Sequence, residues 1–148
     1  AGDGARVVVL DAVQDPGNAG TILRTAAALG AGGVVALPGT VDLWNPKVVR
    51  SAMGASFNLP TVATSVPELL THLRKAGMEL WGADMHGVPV GGATPPRALA
   101  IAVGNEGAGL TPAVLSAADR TVSVPISPSV ESLNVAVATG ILLYTLRA

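Results

Sequence analysis

The chain has 148 residues, a net charge of −1, 49% apolar residues and only 13% charged ones, a balance that excludes a disordered chain and suits one domain with a single sizeable core. The absence of cysteine excludes disulfides and thiolate metal sites, and His72 and His86 are too few for a histidine ligand set, so no metal is expected. The charge balance offers nucleic acid no general electrostatic attraction.

Residues 6–12 (RVVVLDA) form an apolar, β-branched run that predicts a strand, and the turn formers of 14–20 (QDPGNAG) predict a loop after it. Good helix formers follow over 21–29, with Gly30 as the cap. Residues 33–37 read as a second buried strand, 46–53 as a helix with Pro46 in its first turn, and 59–63 as a third strand. Ser65 and Glu68 fit a capping box for a helix running to Lys75. Strands are predicted at 79–83 and 99–103, with a Gly- and Pro-rich surface loop over 87–96 between them. A short helix starts at Thr111-Pro112, a last strand covers 121–124, and a helix covers 134–146. Strands that are apolar throughout and alternate with helices predict an α/β fold, a mostly parallel sheet with helices on both faces. Ligands of such sheets bind outside the carboxyl ends of the strands.

Three loops at those ends carry candidate chemistry. In the first, Asn18 reads either as a helix cap or as a site residue. Arg24 is the one charge of an Ala-rich helix, placed near an N-terminal end whose dipole disfavours a cation, and its guanidinium suits a phosphate or carboxylate. The second loop, residues 103–109 (VGNEGAG), has glycines in the order G-x-x-G-x-G. That order is neither the dinucleotide fingerprint nor a Walker loop. Glu106, at the end of a buried strand, needs a cation or donors to stay charged; Arg24 is one suitable partner, and capping of the next turn is the plainer reading. The third loop runs from Val124 to Asn134, where either Ser132 or Asn134 alone would suffice as a cap. The final helix has no charge before Arg147 and is apolar on nearly every side, which predicts a second buried face and a homodimer.

In order, residues 15–24 (DPGNAGTILR), 103–107 (VGNEG) and 124–126 with 132–136 (VPI and SLNVA) resemble the three motifs of SpoU-type (TrmH-like) RNA ribose methyltransferases of the SPOUT superfamily. Residues 45–55 (NPKVVRSAMGA) also resemble that family's segment after the second strand. The resemblance implies a parallel sheet whose C-terminal part is tied in a trefoil knot, an exception to the rule against threaded connections, and a dimer whose interface completes the site. It implies S-adenosylmethionine as methyl donor and a ribose 2'-hydroxyl of RNA as acceptor. By position, Ala83, Gly104, Val124, Ile126 and Leu133 match cofactor contacts; Asn18, Arg24, Glu106, Ser132 and Asn134 match catalytic or organising positions. On this reading Arg24 stabilises the developing alkoxide and anchors the adjacent phosphate while Glu106 and Asn18 orient it; Arg24 acting as a base is the alternative.

Trp44, Lys47 and Arg50 are candidates for RNA contact by stacking and phosphate binding, or else an ordinary surface. A nicotinamide oxidoreductase would need G-x-G-x-x-G after the first strand, where the chain has residues 14–20 instead. A non-catalytic RNA-binding or assembly module on the same fold is the stronger rival. Ribosomal RNA is favoured over transfer RNA because the chain lacks the basic terminal extensions that the resemblance implies for a tRNA-directed member. No stretch reaches membrane-spanning length and no signal core is seen, so a cytoplasmic protein is expected. The start without Met, almost directly on a strand, fits the catalytic core of a longer protein with an N-terminal RNA-binding domain.

Overall fold

The computed structural model describes residues 4–148. Its elements are β1 (Ala5–Asp11), α1 (Pro16–Ala28), β2 (Gly33–Ala36), α2 (Pro46–Ala52), β3 (Thr61–Ala63), α3 (Val66–Ala76), β4 (Glu79–Pro89), β5 (Ala98–Gly104), α4 (Pro112–Ala117), β6 (Arg120–Ser123) and α5 (Val135–Thr145), with short 3-10 turns at Ala55–Phe57 and Val90–Gly92. The six strands pair in the order β3-β2-β1-β5-β4-β6, and every pairing is parallel. Period-two alternation divides the strands between two cores. Val8, Leu10, Leu99, Ile101 and Val103 pack with α1, α2 and α5, while Val9, Ala100 and Ala102 pack with Leu69 and Leu73 of α3 and Val114 of α4. Helices therefore cover both faces, which is why these strands are apolar throughout.

Two elements depart from the sequence expectation. Helix α1 starts at Pro16, not at residue 21: the Asp15 side chain accepts from the backbone N–H groups of Gly17 and Asn18, and Pro16 occupies the first-turn position that needs no N–H donor. Asn18 is thus inside the first turn and is not the cap. Gly20 lies within the helix because a Cβ there would stand 2.3 Å from Ser51 Cβ and 2.7 Å from Val48 O, so its absence sets how closely α1 and α2 pack. Strand β4 runs on to Pro89, across part of the predicted loop. An irregularity between Ala83 and Val88 interrupts its pairing with β6, and Gly87 is needed there because a Cβ would lie 2.6 Å from the Thr121 backbone.

Arg6, 6% exposed, ties the far end together by donating from Nε to Leu146 O at 2.6 Å and from Nη1 to Arg97 O at 2.8 Å. Burial lowers its pKa, and the contact places a cation at the C-terminal end of α5, where the helix dipole favours one.

Candidate functional site

The chain runs from β1 out to β2 and β3 on one side, and the later strands add on the other, so direction reverses between β1 and β5. This is the position where ligands of open parallel sheets bind. The register there sets Asp11 opposite Gly104, which brings the loop after β1 beside the loop after β5. Buried Asp11 fastens the far end of the second loop by accepting from Thr111 N at 2.7 Å and Thr111 Oγ1 at 2.9 Å.

The loop of residues 104–110 folds back on itself. Asn105 and Gly109 exchange backbone hydrogen bonds, and Asn105 Oδ1 accepts from Gly107 N and Ala108 N. A Cβ on Gly104 would meet Gly109 C at 2.3 Å, and Gly109 has φ +73°. These two glycines are accounted for by the loop's own closure.

Glu106, at the tip, accepts from Gln14 N at 3.1 Å and Asp15 N at 2.8 Å, and from Asn18 Nδ2 at 3.4 Å. Partial burial pushes its pKa up, but the backbone donors of Asp15, Gln14 and Glu106 itself, with Asn18, outweigh burial and leave it below the ordinary carboxylate value. Its partners are these donors and not Arg24. The chain of bonds continues, since Asn134 Nδ2 donates to Asn18 Oδ1 at 2.9 Å. Asn134 is also the N-cap of α5, accepting from Ala136 N and Val137 N. Glu106, Asn18 and Asn134 thus link all three motif loops.

Beside this chain lies a cleft of about 580 Å³. Ala83, Gly104, Val124, Ile126 and Leu133 all line it, as do Glu106 and Ser132. The irregularity in β4 contributes Asp84 and Met85, and Glu131 completes a wall that, among the described residues, has three carboxylates and no Lys, Arg or His. Outside the strand ladders and helices, no backbone hydrogen bond among the described residues engages residues 124–126 or 131–133, which leaves main-chain groups there open to a ligand. Glu131 has no counterpart in the sequence reading, and the charge of Asp84 reaches the cleft through the irregularity in β4.

Arg24 lies elsewhere. It is exposed, sits past the middle of α1, and donates from Nη1 to Met53 Sδ at 2.8 Å. Six residues separate it from Asn18, about 9 Å along a helix axis. Trp44, Lys47 and Arg50 are exposed on the same shoulder, around α2. His72 and His86 are exposed and outside the cleft. Among the described residues no three His, Asp or Glu side chains gather as metal ligands, and no helix is long and apolar enough to cross a membrane.

One further surface bears on the site. On α5, Val137, Ile141 and Tyr144 are 53%, 38% and 57% exposed and border, with Thr21 and Thr25 of α1, an apolar groove between the two helices. The opposite face, with Leu142 and Leu143, is buried.

An all-parallel, doubly wound sheet with a cleft built from the irregular part of β4 and the loops after β5 and β6 defines a small-ligand-binding α/β domain of the kind the three motifs imply. The chain belongs to the SpoU rRNA Methylase family, which matches residues 5–144. It is 43% identical over 143 residues to the 23S rRNA (guanosine(2553)-2'-O)-methyltransferase RlmP of Bacillus subtilis, covering 96% of this chain and 58% of that protein. It is 40% identical to the 23S rRNA (uridine(2479)-2'-O)-methyltransferase of Streptomyces viridochromogenes, covering 93% of this chain and 50% of that one. The chain therefore spans little more than half the length of these relatives. Among solved structures, the SpoU methyltransferase AviRb from Streptomyces viridochromogenes in complex with the cofactor AdoMet superposes with a TM-score of 0.90 at 36% identity, covering 98% of this chain and 57% of that one. The AdoMet-bound rRNA methyltransferase from Sinorhizobium meliloti gives 0.92 at 34% identity, covering 97% and 56%.

Proposed function

We propose that this chain is the catalytic domain of an enzyme that transfers a methyl group from S-adenosylmethionine to a ribose 2'-hydroxyl of ribosomal RNA in the cytoplasm. The observation that carries the reading is the cleft: three carboxylates, no cation and open backbone groups suit a ligand bearing a sulfonium and an ammonium group. Ala83, Gly104, Val124, Ile126 and Leu133 would hold it, largely through their main chain, with Asp84 and Glu131 favouring its positive charge. When bound, the donor supplies an electrophilic methyl carbon.

The chain's own residues then have to align and activate the hydroxyl. Glu106, Asn18 and Asn134 lock the three loops into one frame, and Ser132 lies beside that frame in the cleft wall. Arg24 stabilises the negative charge that develops on the ribose oxygen as the hydroxyl proton passes to solvent, and grips the neighbouring phosphate, since a guanidinium stays protonated and matches phosphate geometry. Its separation from the cleft along α1 supports a site completed by a second copy of the chain, docked through the exposed stripe of α5, with Arg24 of each copy serving the other's cleft. The C-terminal knot implied by the resemblance, and an RNA-binding domain preceding this one, belong to the same reading. Trp44, Lys47 and Arg50 face RNA from the shoulder. The two relatives above are named for different nucleosides, guanosine and uridine, so the catalytic domain's family does not by itself fix the base.

Calorimetric titration with S-adenosylmethionine, followed by labelled methyl transfer into ribosomal RNA, tests the proposal. The expected result is one donor bound per chain and label in ribose 2'-O-methyl groups. Absence of donor binding would overturn it, and binding without transfer would favour the non-catalytic module.

A further inference from the structure

We propose that Trp44, Met53 and Phe57 form a ledge on which an unpaired nucleobase of the substrate RNA stacks, while Lys47 and Arg50 hold its flanking phosphates. This rests on the RNA-modifying reading above and names the kind of RNA that the shoulder takes. Three large apolar side chains stand out of the surface together: Trp44 is 53% exposed, Met53 67% and Phe57 72%. The Trp44 and Phe57 rings meet edge to face, with centroids 5.8 Å apart and planes at 62°, so each ring supports the other while keeping a face open. Single exposed apolar residues are ordinary, but a grouped set marks a contact surface.

The backbone holds this set out at a conformational cost. Met53 ends α2 with φ +50°, a left-handed conformation unfavourable for a side chain of its size. Gly54 follows with φ +91°, and the two together turn the chain into the Ala55–Phe57 turn that carries Phe57. Trp44 is placed by an Asx turn, its N–H donating to Asp42 Oδ1 at 2.9 Å. It also walls a recess of about 350 Å³ at the carboxyl ends of β2 and β3, with Pro38, Thr40 and Thr64 among its other walls.

Charge selects the occupant. Helices α1 and α2 and the Ala55–Phe57 turn carry Arg24, Lys47 and Arg50 and no acid, a third of the nine cations in the whole chain. Asp42, the acid nearest in sequence to Trp44, already accepts from that residue's N–H. An apolar protein partner would have to desolvate these three cations, whereas single-stranded RNA presents flat π faces between phosphates. A duplex offers no such faces, because its bases are stacked on one another. Arg24 touches the ledge through Met53 Sδ, so a base seated there lies next to the residue assigned to the reacting ribose.

The chain contains two tryptophans, and Trp81 is only 2% exposed, so changes in emission on RNA binding report mainly on Trp44. The test titrates the chain with an unpaired RNA oligonucleotide and with the same sequence as a duplex. The unpaired form should quench Trp44 and bind more tightly than the duplex. Trp44→Phe should keep binding and lose most of the quench, Phe57→Ala should weaken binding roughly tenfold, and Lys47→Gln should reduce the salt slope by about 0.7. Binding that leaves Trp44 emission unchanged, full affinity in Phe57→Ala, equal affinity for the duplex, or no binding would each overturn the ledge. Loss of acrylamide quenching of Trp44 as protein concentration rises would also overturn it, since a second copy would then cover the face. Donor titration of the same samples separates the two readings. Phe57→Ala should bind S-adenosylmethionine like the parent, and loss of donor binding with intact quenching would defeat the proposed function alone.

Discussion

The cleft and the shoulder of α1 and α2 are opposites in charge and in construction. The cleft is walled by Asp84, Glu106 and Glu131 without a cation, and its loops are locked to one another by the bonds from Asn134 through Asn18 to Glu106. The shoulder holds Arg24, Lys47 and Arg50 among exposed aromatic and Met side chains. One surface is thus suited to a cationic ligand and the other to a polyanionic one. On the proposed function the two surfaces have to meet, and the second copy proposed above would bridge the span along α1 between Asn18 and Arg24.

Each half of the comparison can be broken separately. Arg24→Ala should have the largest effect, a loss of transfer of about 100-fold or more, with donor affinity unchanged by calorimetry; near-parental turnover would remove Arg24 from the mechanism. Ile141→Glu, on the exposed stripe of α5, should convert a dimer to monomers by light scattering and lower transfer roughly tenfold or more at low protein concentration. The circular dichroism spectrum should stay that of the folded chain. Gly20→Ala drives a Cβ into Ser51 and should destabilise the domain by about 1–3 kcal/mol in denaturant unfolding. That change would also shift Arg24 relative to Lys47, so RNA affinity should fall more than donor affinity.

The smallest effect concerns acid. Glu106 has a depressed pKa in the fold, so its contribution to loop locking is complete above the ordinary carboxylate pKa and is lost as pH falls through the lower folded value. Donor binding should therefore be insensitive to Glu106 from neutral pH down to that range and weaken only below it. In Glu106→Gln this acid limb should disappear.

The order of elements was legible because buried parallel strands and capped helices leave strong local marks, such as Ser65 with Glu68 and Pro46 in the first turn of α2. Gly104, Glu106, Val124, Ile126, Ser132 and Leu133 of the cleft wall were legible through the motifs. What escaped depends on distant partners. Asp15-Pro-Gly-Asn18 has turn composition, yet Asp15 caps a helix that starts there, and Gly20 is explained only by Ser51 and Val48 on another helix. Gly87 reads as loop until β6 passes 2.6 Å from where its Cβ would be. Which donors hold Glu106 could not be read, because backbone N–H groups of residues 14 and 15 leave no trace in side-chain composition. Met53 and Phe57 look like core residues, and nothing local tells that they face outward.

The most direct test of completion across two copies is complementation. Arg24→Ala lacks the substrate-side residue, and Leu133→Arg places a cation in the cleft; each should be inactive alone. Mixed in equal amounts and allowed to exchange, they should recover about a quarter of parental transfer, because half the dimers would be mixed and each would hold one intact composite site. Mixed dimers that form and show no transfer would contradict the account.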